Sequence, residues 1–306
     1  MPKVLVATVK PFAPAAVNQI REIIENAGYE FALLEKYGDQ ADLQKAVVDA
    51  DALIIRSDKV DSELIQAAGN LKIVVRAGAG YDNIDLQAAS RSNVVAMNTP
   101  GQNSNAVAEL ALGMMVYMAR NQYNGSSGSE LKDKTMGIHA YGYVGKIVAR
   151  IARGFGMEII AFDPFLEDSV FEEDEIIRVT SAEDLYRSSQ YVSLHIPANE
   201  KTRNSINFEL LTLMPEGAVL VNTARKEVVD EDALERIMKE RPDFRYVSDI
   251  APDNAEQLKA AYPDNCFFTP KKMGAQTSEA NVNAGVAAAE QIVAFLEKGD
   301  TTFKVN

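Results

Sequence analysis

The chain has 306 residues, of which 47% are hydrophobic, and a formal net charge of −13 at pH 7. Its length and apolar content allow one large core or two ordinary ones. The acidic charge argues against nucleic acid as a partner, and no apolar run is long enough to cross a membrane. The single cysteine, Cys266, excludes an internal disulfide framework, so we expect a reducing compartment, by default the cytoplasm.

The first hundred residues alternate short apolar runs with amphipathic stretches. Such alternation predicts β-α-β units and a parallel sheet with helices on both faces. The predicted strands are residues 4–9, 31–34, 52–55, 73–75 and 94–96, and the predicted helices are 15–26, 42–49 and 62–68.

The rest of the chain repeats this pattern from about Thr99. A long apolar helix (107–120) leads into a polar, glycine-rich loop (121–129). A second set of strands follows at 136–140, 159–162, 191–194, 219–221, 246–248 and 267–269, and an alanine-rich helix at 278–297. The sequence therefore predicts an α/β fold of two doubly wound parallel-sheet domains. Because ligands of open α/β sheets bind beyond the carboxyl ends of the strands, we expect the chemistry in the cleft between the two domains.

The second series opens with the segment K-T-M-G-I-H-A-Y-G-Y-V-G at residues 134–145. A strand, a glycine turn, a helix and a further strand ending at Asp163 are typical of a dinucleotide-binding unit. Gly142 would let the backbone approach a pyrophosphate at the helix N-terminus, and Gly145 would let the helix pack closely on its strand. We assign Gly142, Tyr143, Val144 and Gly145 to cofactor binding.

Two residues of this unit affect the expected geometry of the turn and the choice of cofactor. Ala140 stands where G-x-G-x-x-G has its first glycine, so we expect a turn with an ordinary negative φ there. Asp163 is placed to accept hydrogen bonds from the adenosine ribose and would repel a 2′-phosphate, and no Arg or Lys lies within 164–168 to receive one. The motif therefore predicts NAD rather than NADP, although a glycine turn of an unrelated α/β protein would look similar.

Cations or open backbone N–H groups follow four of the predicted strands. The segments are I-R-S-D-K (55–59), V-R-A-G-A-G-Y-D-N-I-D (75–85), V-N-T-A-R-K-E-V-V-D (221–230) and T-P-K-K-M-G-A (269–275). Any one of these cations could simply mark solvent. Four such clusters in an acidic chain predict a binding site for anions.

The chain resembles the D-isomer-specific 2-hydroxyacid dehydrogenases. The matching segments follow the family's order over nearly the whole chain: R-A-G-A-G-Y-D-N-I-D, N-T-P-G-Q-N-S-N-A-V-A-E-L, the glycine unit, L-H-I-P, N-T-A-R-K-E-V-V-D-E-D-A-L and G-A-Q-T. The resemblance implies a flavodoxin-like substrate-binding domain (1–98 and 281–306), a Rossmann NAD-binding domain (99–280) and a homodimer formed through the NAD domains. Longer members carry a regulatory module that senses serine, and we expect no such feedback here.

The resemblance also implies the catalytic groups. Arg225 would hold the substrate carboxylate and the C2 oxygen. The family's catalytic histidine is replaced by a lysine, which is Lys272 when the segment is aligned on its Gly-Ala turn and Lys271 when it is aligned on Thr-Pro. We prefer Lys272, because the glycine turn fixes the geometry. Asn254 occupies the usual glutamate position, and this replacement favours a neutral amine because no carboxylate then raises the pKa of the lysine. Alternatively, both lysines only bind phosphate.

The remaining site residues also come from the resemblance. Further cofactor contacts are implied for Pro197, Thr223, Ala224, Asp249, Gly274 and Ala275, and further substrate contacts for Arg56, Ser57, Gly78, Ala79 and Asn103. Lys10 is more readily interpreted as a surface cation. We interpret His139 and His195 as structural, and with one cysteine and two distant histidines we expect no metal site.

Three functions are compatible with these sequence features. The resemblance implies NAD-dependent oxidation of a D-2-hydroxy acid. Within the family the chain is most similar to short members that act on 3-phospho-D-glycerate, so we expect its conversion to 3-phosphohydroxypyruvate at the entry to serine biosynthesis. Glycerate/hydroxypyruvate or another D-2-hydroxy acid is the alternative substrate. A nucleotide-sensing binding protein on the same fold is the third possibility. The presence of Arg225 and a lysine argues against it, because a sensor needs neither residue.

Overall fold

The computed structural model describes residues 1–306, which fold into two compact units. The first unit comprises Met1–Asn103 and Gln276–Asn306, and the second comprises Ser104–Ala275. Each unit contains its own fully parallel sheet, so the prediction of two doubly wound α/β domains is confirmed. No helix combines the length and the apolar character that crossing a membrane requires.

The strands and helices are numbered in chain order. The strands are β1 Lys3–Thr8, β2 Glu30–Glu35, β3 Ala52–Ile55, β4 Ile73–Arg76, β5 Val95–Asn98, β6 Thr135–His139, β7 Glu158–Phe162, β8 Ile177–Arg178, β9 Tyr191–Leu194, β10 Val219–Asn222, β11 Arg245–Ser248 and β12 Cys266–Phe268. The helices are α1 Pro14–Asn26, α2 Gln40–Ala46, α3 Ser62–Ala67, α4 Leu86–Arg91, α5 Ser104–Ala119, α6 Tyr143–Gly154, α7 Asp168–Glu173, α8 Ala182–Ser188, α9 Phe208–Leu213, α10 Glu231–Glu240, α11 Ala255–Ala261 and α12 Ser278–Lys298.

The sheet of the first unit has the strand order β2-β1-β3-β4-β5, which is the flavodoxin-like order. Its central strands are buried on both faces, as the continuous apolar runs of the sequence require. One face packs on α1 and α12, and the other packs on α2, α3 and α4. Because the strands are parallel, the carboxyl ends of β1, β3, β4 and β5 lie at the same edge of the sheet.

The last helix, α12, belongs to the first unit and packs along α1. The Thr277 side chain caps it by accepting from the Ala280 N–H, and Gly299 ends it in the left-handed conformation at φ +68°. Small residues let the two helices approach, since a Cβ at Gly285 would lie 2.7 Å from the Cδ1 of Ile20. The alanine-rich composition of this helix thus reflects close packing.

The sheet of the second unit has the order β12-β11-β10-β9-β6-β7-β8. Renumbered within the unit, this is the Rossmann order 3-2-1-4-5-6 with one further strand beyond the sixth. The chain crosses from β8 back to β9 on the other side of β6, so the topological switch point lies at the carboxyl ends of β6 and β9. Helices α5 and α6 cover one face, and α8 to α11 cover the other.

Several predicted elements differ in their bounds. Helix α5 begins at Ser104 rather than at 107. Helix α2 covers Gln40–Ala46 rather than 42–49, and it begins earlier because the Asp39 side chain caps it by accepting from the Ala41 N–H. The polar loop after α5 opens with a short 3₁₀ turn at Asn121–Tyr123.

Candidate functional site

The turn between β6 and α6 brings together four of the predicted cofactor-binding residues, Gly142, Tyr143, Val144 and Gly145. Gly142 is the N-cap of α6. The first N–H groups of the helix have no intrahelical acceptor, and no side chain caps them. A Cβ at Gly142 would meet no atom within 4 Å, whereas a Cβ at Gly145 would lie 2.5 Å from the Ala140 carbonyl oxygen. Gly142 therefore leaves the helix N-terminus accessible, and Gly145 lets α6 approach its strand.

The expectation of a negative φ at Ala140 is wrong. Its φ is +77°, in the region where a side chain is strained. The chain must leave β6 and enter α6 within a few residues. The Ala140 N–H still extends the β6–β7 ladder by donating to the Phe162 carbonyl at 2.9 Å, and the next N–H, that of Tyr141, already points at Asp163. A left-handed residue makes this reversal, which is why glycine usually occupies the position.

Asp163 lies at the carboxyl end of β7, buried next to this turn. Its Oδ2 accepts from the Tyr141 N–H and its Oδ1 from the Phe165 N–H, both at 3.0 Å. These bonds fix the carboxylate, and each oxygen keeps a second lone pair for a ribose hydroxyl. The carboxylate is thus held rigidly against Tyr141, the residue that directly precedes Gly142 in the turn.

The residues of this edge fit a dinucleotide. A helix N-terminus with free N–H groups and an open Gly142 suits a pyrophosphate, and Asp163 suits the ribose attached to it. On the other side of the switch point, the Nε2 of His195 and the Oγ1 of Thr223 are buried without a hydrogen-bond partner at the neighbouring ends of β9 and β10. Buried polar atoms of this kind are expected where a bound cofactor supplies the partners.

The end of β10 holds the predicted cofactor residues Thr223 and Ala224 and the predicted catalytic Arg225. The Asn222 side chain organises this turn: its Oδ1 accepts from the Ala224 N–H at 3.0 Å, and its Nδ2 donates to the Arg225 carbonyl at 2.9 Å. The half-buried Arg225 donates from Nη1 to the Ala224 carbonyl at 2.9 Å. The backbone under the guanidinium is therefore fixed by a buried amide.

Asp249, predicted to contact the cofactor, holds the loop that carries the two lysines. It follows β11, is 1% exposed, and its N–H donates to the Asn222 carbonyl at 2.9 Å. Its Oδ1 accepts from the Thr269 hydroxyl at 3.0 Å and from the Met273 N–H at 2.7 Å, and its Oδ2 accepts from the Gly274 N–H at 2.8 Å. One buried carboxylate thus sets the path of the 269–274 loop, and the backbone of the same residue is bonded to Asn222, which organises the turn that carries Arg225.

Within that loop, Lys271 and Lys272 are both exposed, and Gly274 is buried. A Cβ at Gly274 would lie 3.0 Å from the Asp249 Oδ2, so a larger residue would disturb this anchor. Of the other predicted cofactor residues, Ala275 follows half-buried, and Pro197 is exposed beyond the end of β9. Asn254 is the N-cap of α11, its Nδ2 reaches the Glu231 carbonyl at 3.5 Å, and its Oδ1 is buried without a partner.

In the first unit, Arg56 and Ser57 follow β3 at the carboxyl edge of the sheet. Arg56 is tied to its own unit: Nη1 donates to the carbonyls of Lys10 and Pro11 at 3.0 and 2.9 Å, and Nη2 donates to the Asn281 Oδ1. The Nε and one further N–H of the guanidinium remain for another acceptor. Ser57 is exposed beside it. Lys10 thus contributes a carbonyl to this arrangement.

Gly78 and Ala79 follow β4, the neighbouring strand. Gly78 is buried, its N–H donates to the Thr99 Oγ1 at 2.7 Å, and its φ of +146° excludes most other residues. A Cβ there would lie 1.8 Å from the Nη1 of Arg76, so the glycine makes room for that guanidinium. The exposed Ala79 is held through its carbonyl, which accepts from the Asn98 side chain at 2.6 Å. Asn103 is half-buried at the end of this part of the unit.

Both histidines lie inside the second unit. The His139 ring packs against Phe162 and Tyr186, and its Nδ1 lies 3.3 Å from the Tyr186 hydroxyl. Burial lowers the pKa of His139 to about 4 and that of His195 to about 3. Both imidazoles are therefore neutral at pH 7. No group of three or more His, Cys, Asp or Glu side chains is placed to hold a metal ion.

Four residues that shape the site were not assigned from the sequence: Asn222, Thr269, Arg76 and Arg178. Asn222 and Thr269 are polar residues where two apolar runs end, and that position is a usable signal. Arg76 lies in one of the four cationic segments. Arg178 had no local signal, because it belongs to the two-residue strand β8 and reaches the Asp163 carbonyl, at 3.4 Å, only through the fold.

A fold of this topology with this glycine turn is typical of dinucleotide-binding proteins of the doubly wound class, and comparison with known proteins gives the family. Residues 112–271 match the model of the D-isomer specific 2-hydroxyacid dehydrogenase NAD-binding domain. The chain belongs to this family and is an NAD-dependent enzyme of it. The predictions of family, fold and NAD as cofactor are thereby confirmed.

Relatives and solved structures extend the match beyond that domain. The hydroxypyruvate reductase of Thermotoga maritima is 35% identical over 288 residues, covering 88% of this chain and 92% of that one. The D-3-phosphoglycerate dehydrogenase of Methanocaldococcus jannaschii is also 35% identical, covering 82% of this chain but 51% of that one. The chain thus spans about half the length of that relative. The NAD⁺-bound 3-phosphoglycerate dehydrogenase structure of Entamoeba histolytica is 47% identical with a TM-score of 0.89, covering 100% of this chain and 98% of that chain.

Proposed function

We propose that this enzyme oxidises 3-phospho-D-glycerate to 3-phosphohydroxypyruvate with NAD, the first step of serine biosynthesis. The observation that carries the proposal is the 47% identity, over the whole chain, with the 3-phosphoglycerate dehydrogenase of Entamoeba histolytica. The cations at the strand ends of this acidic chain support a substrate with two anionic groups. In this proposal residues 1–98 and 281–306 form the substrate-binding domain, and residues 99–280 form the NAD-binding domain.

The chemistry is assigned to the loops around Asn222 and Asp249. Arg225 binds the substrate carboxylate and the C2 oxygen, a task that suits a planar guanidinium on a fixed backbone. Lys272 removes the C2 hydroxyl proton, and the amine becomes an ammonium. Bound NAD supplies the acceptor for the C2 hydride. Lys271 is the alternative base, and Asp249 sets the position of both lysines by holding the backbone at Met273 and Gly274.

The phosphate is assigned to the first unit. Arg56 retains two N–H groups for an anion after its bonds to Lys10, Pro11 and Asn281. Ser57, Ala79 and the buried Gly78 follow the neighbouring strands at the same edge, and Asn103 belongs to the same unit. These residues would add hydrogen bonds from hydroxyl, amide and backbone groups.

A second substrate is favoured by a specific observation. Hydroxypyruvate reductase of Thermotoga maritima is matched over 92% of its length, so interconversion of glycerate and hydroxypyruvate is the competing reaction. The two substrates differ by the phosphate alone. Arg56→Gln therefore separates them: it raises KM for a phosphorylated substrate and leaves KM for glycerate unchanged.

The deciding experiment follows NADH absorbance with a panel of D-3-phosphoglycerate, D-glycerate and D-lactate. The proposal predicts the highest kcat/KM with phosphoglycerate and a loss of that preference in Arg56→Gln. A higher kcat/KM with glycerate would replace it with the competing reaction. NAD binding without turnover of any of the three acids would favour a nucleotide-sensing protein.

We also propose that the enzyme is a homodimer formed through its NAD-binding domains and that it acts in the cytoplasm. Support for the dimer comes from Phe155 at the end of α6, which is 43% exposed, and from Val144, Ile147 and Ile151, which pack against the core of the unit but are only partly buried. Exposed apolar surface of this kind is typical of interfaces. Phe155→Glu is expected to shift the sedimentation coefficient toward that of a monomer, and an unchanged coefficient would place the interface elsewhere.

A further inference from the structure

The adenosine end of the cofactor site contains a cation that the sequence motif does not show. Strand β8 pairs with β7 so that Arg178 lies beside Ala161, two residues before Asp163. The Nη2 of Arg178 is 3.4 Å from the Asp163 carbonyl oxygen. An arginine therefore stands next to the acid that would bind the ribose, although none follows that acid within 164–168.

Packing fixes the position of this guanidinium. Its Cζ lies 5.1 Å from the centre of the Phe171 ring, and Phe171 is 1% exposed. Phe171 stacks on Tyr141 at 5.3 Å, and the Tyr141 N–H donates to the Asp163 carboxylate. Asp163 and Arg178 are thus linked through two aromatic rings to the glycine turn itself. Arg178 is 28% exposed, which leaves one side of it accessible.

The charge of Arg178 is compensated by the carboxylate of Asp168. Its Nη1 donates to the Oδ1 of Asp168, the first residue of α7, which is 77% exposed. The three side chains Asp163, Arg178 and Asp168 together carry one net negative charge. Because Asp168 is so exposed, the pair contributes little to folding stability, but the negative charge of Asp168 would still repel a second anion at Arg178.

Selectivity between NAD and NADP depends on this environment. An acid binds the 2′-hydroxyl of NAD, and a nearby arginine accommodates the 2′-phosphate of NADP. We propose that the Asp168–Arg178 pair is a second determinant of cofactor selectivity: Asp168 occupies the arginine that would otherwise bind the 2′-phosphate. Asp163 alone then does not account for the preference. The inference rests on the nucleotide site and is independent of the substrate.

Fluorescence titration tests this without turnover. The dissociation constants of NADPH and NADH are measured for the wild type, Asp168→Asn, Arg178→Gln and the double variant. Asp168→Asn is expected to tighten NADPH about tenfold, the contribution of one ordinary charge-assisted hydrogen bond, and to change NADH by less than about twofold. The double variant is expected to lose this gain, because the arginine carries it. Glu240→Gln, which breaks the exposed Arg236–Glu240 pair on α10, is the matched control and leaves both constants unchanged.

Two results would overturn the inference. An unchanged NADPH/NADH ratio in Asp168→Asn would show that the pair does not govern selectivity. A gain that persists in the double variant would show a general effect of charge that does not pass through Arg178. Both outcomes are independent of which acid the enzyme oxidises, because the titration measures nucleotide binding alone. A wild type that binds neither NADH nor NADPH would contradict the nucleotide site and with it the inference.

Discussion

Replacing Gly145 with alanine is expected to destabilise the second unit and to weaken NAD binding at the same time. The added Cβ would lie 2.5 Å from the Ala140 carbonyl oxygen and 3.0 Å from the Cγ2 of Ile138. Neither neighbour yields easily, since the first is backbone and the second belongs to a buried strand. Overpacking of this kind costs about 1–3 kcal/mol, and the better helix propensity of alanine returns up to about 1 kcal/mol.

The net loss is therefore about 1–2 kcal/mol, which corresponds to a decrease of roughly 3–6 °C in Tm. Thermal and urea unfolding of the protein without cofactor measure it. Relief of the clash moves α6 away from β6, so the helix N-terminus also moves and NADH binds more weakly in a fluorescence titration. Gly154→Ala is the matched control, because a Cβ at this other glycine of α6 would meet no atom within 4 Å.

Gly142→Ala separates the two effects. A Cβ at Gly142 would meet no protein atom within 4 Å, and φ at this position is −85°, which alanine adopts readily. Stability is expected to stay within about 0.5 kcal/mol of the wild type. NADH binding is expected to fall at least about tenfold, because the methyl group occupies the approach of the pyrophosphate. Two outcomes would refute this division of roles between Gly142 and Gly145. One is that Gly145→Ala is as stable as Gly154→Ala, and the other is that Gly142→Ala binds NADH with normal affinity.

Two further outcomes concern stability. Ala140→Gly is expected to stabilise the protein by about 1 kcal/mol in urea unfolding, since it relieves a side chain held at φ +77°, and a loss of stability would contradict the strain. Acid is expected to destabilise the protein from about pH 6.5 down to about pH 4 through His139 and down to about pH 3 through His195. Burial lowers the pKa of His139 to about 4 and of His195 to about 3, so above these values only the unfolded chain takes up the protons. The loss at pH 5 is about 2 kcal/mol per histidine relative to pH 7, and His139→Gln should reduce the difference between the two pH values.

Much of the fold could be predicted because parallel strands that are buried on both faces leave continuous apolar runs in the sequence. The run at 52–55 and the run at 191–194 match β3 and β9 without correction. Short or edge elements carried no such signal. Strand β8 has two residues, of which Ile177 is exposed, and α4 has six residues with only Ala88 and Ala89 buried.

The candidate site was predictable where one short segment supplies the chemistry. The glycine turn and Asp163 follow one another within a single β-α-β unit, so their spacing indicates their purpose. Arg178 and the contacts of Asp249 were not predictable, because they depend on which strands lie side by side. Ala140 shows a different limit: the preference of alanine for negative φ is overridden where the path of the chain from β6 into α6 requires a left-handed residue.

The contribution of the lysine loop is measured most directly by comparing Lys272→Met with Lys271→Met. NADH formation from D-3-phosphoglycerate gives kcat, and a parallel titration gives the NADH dissociation constant. Lys272→Met is expected to lower kcat about 10²–10⁴-fold, the usual contribution of a general base, while NADH affinity stays within about twofold. Loss of kcat in Lys271→Met instead would assign the base to the neighbouring residue, and normal kcat in both variants would contradict a lysine base.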